Sequence, residues 1–259
     1  MNLNLTARTA VVTGASRGIG LATVRTLTDE GVRVVGAART VTPELKETGA
    51  HAVAADLSTA EGVAALMDAA LAELGGIDLL VNNVGGGDAA TVGFLDVDDT
   101  EWAGAFDINV LSTVRATRAA LPSLIERRGA IVNVSSILGL MPGGFPVAIS
   151  AAKAALTALG KSLAEEFGPL GVRVNTISPG LVRTSVYKDP NGQVAQWAAA
   201  SGMSLDEFTQ RMVTDQNITM GRGTEPEEVA ALIAFLLSEK AGNITGVDYV
   251  IDGGTVKTV

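Results

Sequence analysis

Cysteine is absent from this sequence of 259 residues, and histidine occurs once, at His51. Disulfides, thiol nucleophiles and thiolate metal sites are therefore excluded, and a triad built on imidazole would depend on that single residue. His51 opens the apolar run "HAVAAD", where a surface position at the start of a strand is the expected role. No metal site is expected. Positive charge is also scarce: 19 Lys and Arg stand against 28 Asp and Glu, a formal net charge of −9. Binding to phosphate backbones needs a basic surface, so no nucleic-acid partner is expected, although an acidic surface still permits a phosphate held locally. No apolar run reaches the roughly eighteen residues of a membrane span, and "MNLNLTARTAVVTG" lacks the basic-then-apolar layout of a signal peptide. A cytoplasmic protein with no membrane partner is the expectation. Internal repeats, low-complexity tracts and linkers are missing too, so one domain over residues 1–259 is expected, with 47% hydrophobic and 18% charged residues suited to a folded core.

What is present is a rhythm. Short runs rich in Val and Ile ("TAVVTG", "RVVGAA", "HAVAAD", "DLLVNN", "GAIVNVSS", "VRVNTIS", "VDYVIDGG") alternate with longer segments of helical period. Most of these seven runs are apolar at successive positions, as strands covered on both faces require. Between the first two lies "GIGLATVRTLTDEG", whose Ile19, Thr23 and Leu27 form one stripe and whose Gly31 ends it. Strand then helix, repeated, predicts an α/β fold with a doubly wound, mostly parallel, seven-stranded sheet. One segment breaks the pattern. From Leu181 to Thr224 no strand is evident, and Trp197, Met203, Phe208, Met212 and Met220 are scattered through it. A structureless loop of that length is unfavourable, so a small helical lid over a site is expected, with an extra helical pair packed on the body as a compatible reading.

"TGASRGIG", Thr13 to Gly20, falls between the first strand and the first helix. Gly14 suits a backbone conformation that side chains disfavour, Gly18 lets the main chain approach a pyrophosphate, and Gly20 permits close helix-sheet packing. Free N–H groups at the helix start would face the anion. An acidic residue ending the second strand would grip the ribose 2′-hydroxyl of NAD; here "GAARTV" supplies Arg39 instead, and Arg17 adds a second cation. Guanidinium groups suit a 2′-phosphate, so NADP(H) is expected ahead of NAD(H). Asp56, after the third strand, is placed to accept from the adenine amine or to form a turn.

With these segments in order, the chain resembles the short-chain dehydrogenase/reductase family over nearly its whole length. "NNVG" at Asn82 to Gly85, "SPGLVRT" at Ser178 to Thr184 and "DGG" near the C-terminus add to "TGASRGIG". The resemblance implies a single Rossmann-type domain. It also implies cofactor contacts from Gly14, Ser16, Arg17, Gly18, Ile19 and Gly20 in the turn and from Arg39, Asp56 and Leu57 beside it. Asn83 and Gly85 would flank the adenosine side, and Pro179, Gly180, Val182 and Thr184 the nicotinamide end. Of the family's catalytic Asn, Ser, Tyr and Lys, the resemblance assigns Asn109 in "DINV", Ser136 in "VSS" and Lys153 in "AAK". The tyrosine position, four before Lys153, holds Ile149, and the first tyrosine of the chain is Tyr187. Lys153 would hold the nicotinamide ribose, Ser136 would donate to a substrate oxygen, and Asn109 would kink its helix and hold a water on the lysine.

Reducing a carbonyl needs hydride at carbon and a proton at oxygen. Losing a positioned general acid costs about 10²- to 10⁴-fold, roughly 3 to 5.5 kcal/mol, whereas orientation alone can contribute roughly 7 to 11 kcal/mol. An NADPH-dependent oxidoreductase acting on a carbonyl, quinone or imine of an apolar small molecule is therefore expected. Its proton could come from the substrate's own hydroxyl, from a water held by Ser136 and Lys153, or less directly from Tyr187; an iminium substrate would need none. The competing expectation is a catalytically inactive subunit paired with an active homologue. An apolar pocket follows from "LMPGGFPVAI" and from the Trp and Met residues of the lid. Family resemblance also implies a homotetramer or dimer through long helices around Leu111 to Arg127 and Ser150 to Phe167.

Overall fold

The structure, a computed structural model, describes residues 2–86, 93–143 and 146–258. Its centre is one seven-stranded sheet in the order β3-β2-β1-β4-β5-β6-β7, where β1 is Thr9–Thr13, β2 Arg33–Ala38, β3 His51–Ala54, β4 Leu79–Asn82, β5 Ala130–Val134, β6 Arg173–Pro179 and β7 Asp248–Ile251. Every pairing is parallel, with Val11 opposite both Val35 and Leu80 and Asn82 opposite Asn133. The order reverses between β1 and β4, the switch point at which such sheets open a crevice outside the carboxyl ends of the strands.

Helices cover both faces. α1 (Gly18–Asp29) and α9 (Pro226–Leu237) pack with Val12, Val34, Val81 and Val132 on one side. α3 (Ala60–Leu74) and α5 (Ser112–Arg127) pack with Val11, Val35, Leu80 and Ile131 on the other. Neighbouring residues of one strand thus enter opposite layers, as the two-residue period dictates. Both-face burial holds for β1, β4 and β5 but not at the rims: β3 and β7 are half-buried or exposed. They are edge strands with a neighbour on one side only. His51, at the start of β3, is half exposed, with Nδ1 3.7 Å from Glu73 Oε2.

The remaining helices are α2 (Pro43–Lys46), α4 (Asp99–Phe106), α6 (Val147–Phe167), α7 (Gln193–Ala200) and α8 (Leu205–Asp215). Val147–Leu170, α6 and the turn after it, is long and apolar enough to cross a bilayer by composition. Here it buries Ala152, Leu156, Gly160 and Ala164 within the fold, as a core helix does. α7 and α8 fill the strandless segment, with Leu181, Val213 and Ile218 forming a small core of their own.

Candidate active site

Gly14 and Gly18 adopt φ +69° and +54°, backbone that side chains rarely adopt. A Cβ on Gly20 would collide with the Gly14 carbonyl oxygen and stand 2.6 Å from Asn83 Nδ2. Asn83 is the reason that turn holds its shape: its Nδ2 donates to the carbonyls of Thr13 (2.9 Å) and Gly14 (3.1 Å). The Thr13 hydroxyl accepts from the N–H groups of Asn83 (2.9 Å) and Val84 (3.0 Å), fastening the end of β1 to the end of β4. α1 begins after Arg17 with no side-chain cap, leaving its first-turn N–H groups to face the crevice. Across from them, Thr184 Cγ2 lies 2.9 Å from where a Cβ on Gly18 would stand. These are features of a cradle that fits an anion.

Arg17 and Arg39 are exposed, as is Asp56. One Asp56 oxygen accepts from Ser58 Oγ (2.7 Å) and Ser58 N–H (3.0 Å), and these bonds, aided by the charge of Arg39, hold its carboxyl below the usual range. Ser16 and Ile19 are half-buried in the turn, and Leu57 is buried against the α3 side of the core.

The second group lies at the ends of β4 and β5. A π-helical turn, Asp107–Leu111, interrupts the run from α4 into α5 and carries Asn109 inward, where it is fully buried. Asn109 Nδ2 donates to the carbonyls of Gly86 (2.7 Å) and Ala105 (2.8 Å), and its Oδ1 accepts from the Gly86 N–H (3.1 Å). A Cβ on Gly85 would stand 2.8 Å from Asn109 Oδ1 and 2.9 Å from Lys153 Nζ, so the three residues meet at one point. The Lys153 ammonium donates to the Val134 carbonyl at 2.9 Å, and burial pulls its pKa from 10.5 down to about 8. Ser136 is half-buried; its Oγ accepts from the Leu138 N–H at 3.2 Å. Ile149 is buried on α6, one turn before Lys153.

The helical segment 181–224 leaves and rejoins the body at a narrow neck. Val182 forms a bridge with Thr224: Arg183 N–H donates to the Thr224 carbonyl and Thr224 N–H to the Leu181 carbonyl, both at 2.8 Å. Glu225 adds an ion pair to Arg183 at 3.0 Å. Pro179 and Gly180 lead into this neck, with Gly180 N–H donating to the Ile251 carbonyl at 3.0 Å. Tyr187, a conceivable proton source by sequence, packs with the small core of Leu181, Met212, Val213 and Ile218, and burial raises its hydroxyl pKa. Of the "LMPGGFPVAI" stretch, residues 144 and 145 lie outside the described residues.

A family model described as enoyl-(acyl carrier protein) reductase matches residues 14–256 of this chain. The chain belongs to the short-chain dehydrogenase/reductase family. The 3-oxoacyl-[acyl-carrier-protein] reductase of Vibrio cholerae is 33% identical, over 97% of this chain and 98% of its own length. Among solved structures, L-sorbose reductase from Gluconobacter frateurii, complexed with NADPH and L-sorbose, superposes with a TM-score of 0.92 at 32% identity, covering all of both chains. The NADPH-bound short chain oxidoreductase from Pseudomonas aeruginosa PAO1, described as containing an atypical catalytic center, does so at 0.85 and 34% identity, covering 98% of this chain and 99% of that one.

Within this short-chain dehydrogenase/reductase, three supporting residues went unmarked by sequence reasoning. Thr13 is the clasp described above. Ser135 donates to the Lys153 carbonyl (3.0 Å) and accepts from Thr157 (3.0 Å), tying α6 to the end of β5. Gly139 lets that connection touch α6, since a Cβ there would stand 2.8 Å from Ala154 N. The doubled serine of "VSS" was the available signal, because only the second has an obvious chemical role.

Proposed function

We propose that this chain is an NADPH-dependent reductase that places hydride on a carbonyl, quinone or imine carbon of an apolar small molecule without a tyrosine acid. The observation that carries this reading is the meeting of Lys153, Asn109 and Gly85 beside the glycine turn, with Ile149 where the family places its tyrosine. Two relatives of 32% and 34% identity bind NADPH, and one is described as having an atypical catalytic center. Arg17 and Arg39 are exposed cations at the adenosine end, suited to a 2′-phosphate.

A dihydronicotinamide held by the glycine turn would supply the hydride. The chain's own part is orientation and the proton. Ser136 Oγ donates to the substrate oxygen, and Lys153, with a pKa of about 8, passes a proton to that oxygen directly or through one water and recovers it from solvent. Asn109 holds the Gly86 backbone and thereby the wall opposite the lysine. Phe94, Leu95, Leu140 and Met141 are exposed on connections that follow β4 and β5, which favours an apolar substrate. Assembly as a homo-oligomer belongs to the same proposal.

The second reading is an inactive cofactor-binding subunit paired with an active homologue, favoured by the buried alkyl group of Ile149. Fluorescence titration with NADPH and NADH, followed by turnover on ketones, quinones and cyclic imines, separates the two. Binding of NADPH with turnover that falls in Ser136→Ala and Lys153→Ala supports the reductase. Binding without turnover on any class supports the passive subunit, and indifference to both dinucleotides removes both.

A further inference from the structure

At the other edge of the sheet, the amino ends of β1, β4, β5 and β6 surround a cavity of about 370 Å³. Arg8, Arg127, Arg128 and Arg173 line it, together with Asp78 and Glu239. β1 is 5 residues long, so this cavity lies roughly 16 Å from the glycine turn at about 3.3 Å per residue. In a chain of net charge −9, four guanidinium groups against two carboxylates at one cavity leave a surplus of two positive charges.

Three of the arginines have structural partners. Arg8 reaches Asp78 (3.3 Å) and Glu239 (2.8 Å). Arg127 sits 3.6 Å from Asp78 and donates to the Gly75 carbonyl at 3.2 Å. Arg173 donates to the last carbonyls of α9, Leu236 at 2.6 Å and Leu237 at 3.2 Å, so its charge meets no carboxylate. Arg128 is different: among the described residues it has no side-chain hydrogen bond or ion pair. Its backbone, at φ 49° and ψ 53°, is in the left-handed region at the end of α5, a position glycine occupies without strain. Gly171 makes room for its stem, since a Cβ there would stand 3.0 Å from Arg128 Cγ. Gly171 is required by its own left-handed backbone, φ +87°, but the left-handed Arg128 has no side-chain partner among the described residues to account for it.

We propose that this cavity is a second anion site, taking a small phosphorylated metabolite whose monoester dianion is gripped by Arg128 with Arg173 and Arg127. Phosphate carries close to two negative charges near neutral pH, which matches the surplus, and the guanidinium fork fits its oxygens. The volume is in the range of small-molecule sites, and Leu5 and Leu79 supply apolar wall for the body of the ligand.

The test uses calorimetric titration of the full chain with glycerol 3-phosphate and inorganic phosphate, with glycerol and sodium chloride at matched ionic strength as controls. The background is R17A/R39A, which weakens phosphate binding at the glycine turn. Saturable binding that persists there, and falls at least tenfold when R128G is added, is the expected result. R128G also relieves the left-handed backbone, so its ligand-free melting midpoint should stay or rise; R128Q, which keeps a polar stem, should weaken binding similarly. The proposal is overturned if no saturable phosphate binding remains in R17A/R39A, or if binding is the same with and without Arg128.

Discussion

Ile149 and Lys153 share one face of α6 a single turn apart, and both are buried, at 8% and 7% exposure. The ammonium therefore has a hydrocarbon neighbour one turn away, at the position we propose corresponds to the family's tyrosine. Ile149→Tyr is expected to bring a phenol beside Lys153 and to raise kcat/KM on simple ketones by about 10²- to 10⁴-fold. The larger ring should lower stability by about 1–3 kcal/mol. Steady-state kinetics on a ketone panel checks this; no gain on any ketone would mean that the residue is not the missing acid position.

Lys153 sets a pH dependence. Its folded pKa of about 8 is below the ordinary 10.5, so between these values the unfolded chain binds more protons and stability rises with pH. The cost of burying the ammonium, at most roughly 3 kcal/mol, is fully present below pH 8 and fades as pH approaches 10.5. Denaturant titrations of wild type and Lys153→Met should differ most at pH 7 and converge near pH 10. Turnover should fall as pH rises through about 8, as the ammonium that supplies the proton is lost.

Gly20→Ala places a methyl group against the Gly14 carbonyl and Asn83 Nδ2. Either the turn opens or α1 shifts. The expected result is a loss of about 1–3 kcal/mol in stability, with NADPH binding reduced at least tenfold in fluorescence titration. Gly49→Ala, where a Cβ would meet nothing within 4 Å but φ is +77°, is the comparison: it lowers stability through backbone strain remote from the turn and should leave NADPH binding unchanged.

Asp78 ties the amino ends of the strands. Burial alone would raise its carboxyl pKa, but bonds from the Thr9 hydroxyl, the Thr9 N–H and Arg8, with the charge of Arg127, bring it below the usual value. Its stabilisation is therefore present above pH 4 or so and lost as pH falls through the folded value. Asp78→Asn is expected to cost about 1–3 kcal/mol at pH 7, because the Thr9 hydroxyl and N–H lose a charged acceptor while the partly exposed Arg8 and Arg127 keep water and other partners. Its acid-unfolding curve should also be flatter than that of the wild type below about pH 4.

All seven strands were legible because each is a short Val- and Ile-rich run ended by turn residues, and parallel central strands leave little else to such runs. The glycine turn was legible for the same reason: Gly14, Gly18 and Gly20 each answer a backbone constraint that sequence position exposes. The rest depends on contacts between distant segments. Asn83 was expected along the adenosine side, but nothing in the sequence signalled that its side chain donates to Thr13 and Gly14, 70 and 69 residues away. The π-helical turn at Asn109 has no periodicity signal of its own, and a kink there was expected only from the family resemblance. The arginine cavity gathers residues 8, 127, 128 and 173, which only the strand order brings together.

Leu181 and Thr224 touch, so the segment between them is closed at its base, with a second attachment where Met220 and Thr219 donate to the carbonyls of Gly253 and Gly254. Removing or exchanging that segment would require the remaining scaffold to span only the few ångströms of one peptide hydrogen bond. Between Thr184, which packs on Gly18, and Ile218, such a cassette can be rewritten for a new molecule while the sheet, the glycine turn and Lys153 keep their positions. That is an architecture in which specificity and cofactor handling can evolve on separate schedules.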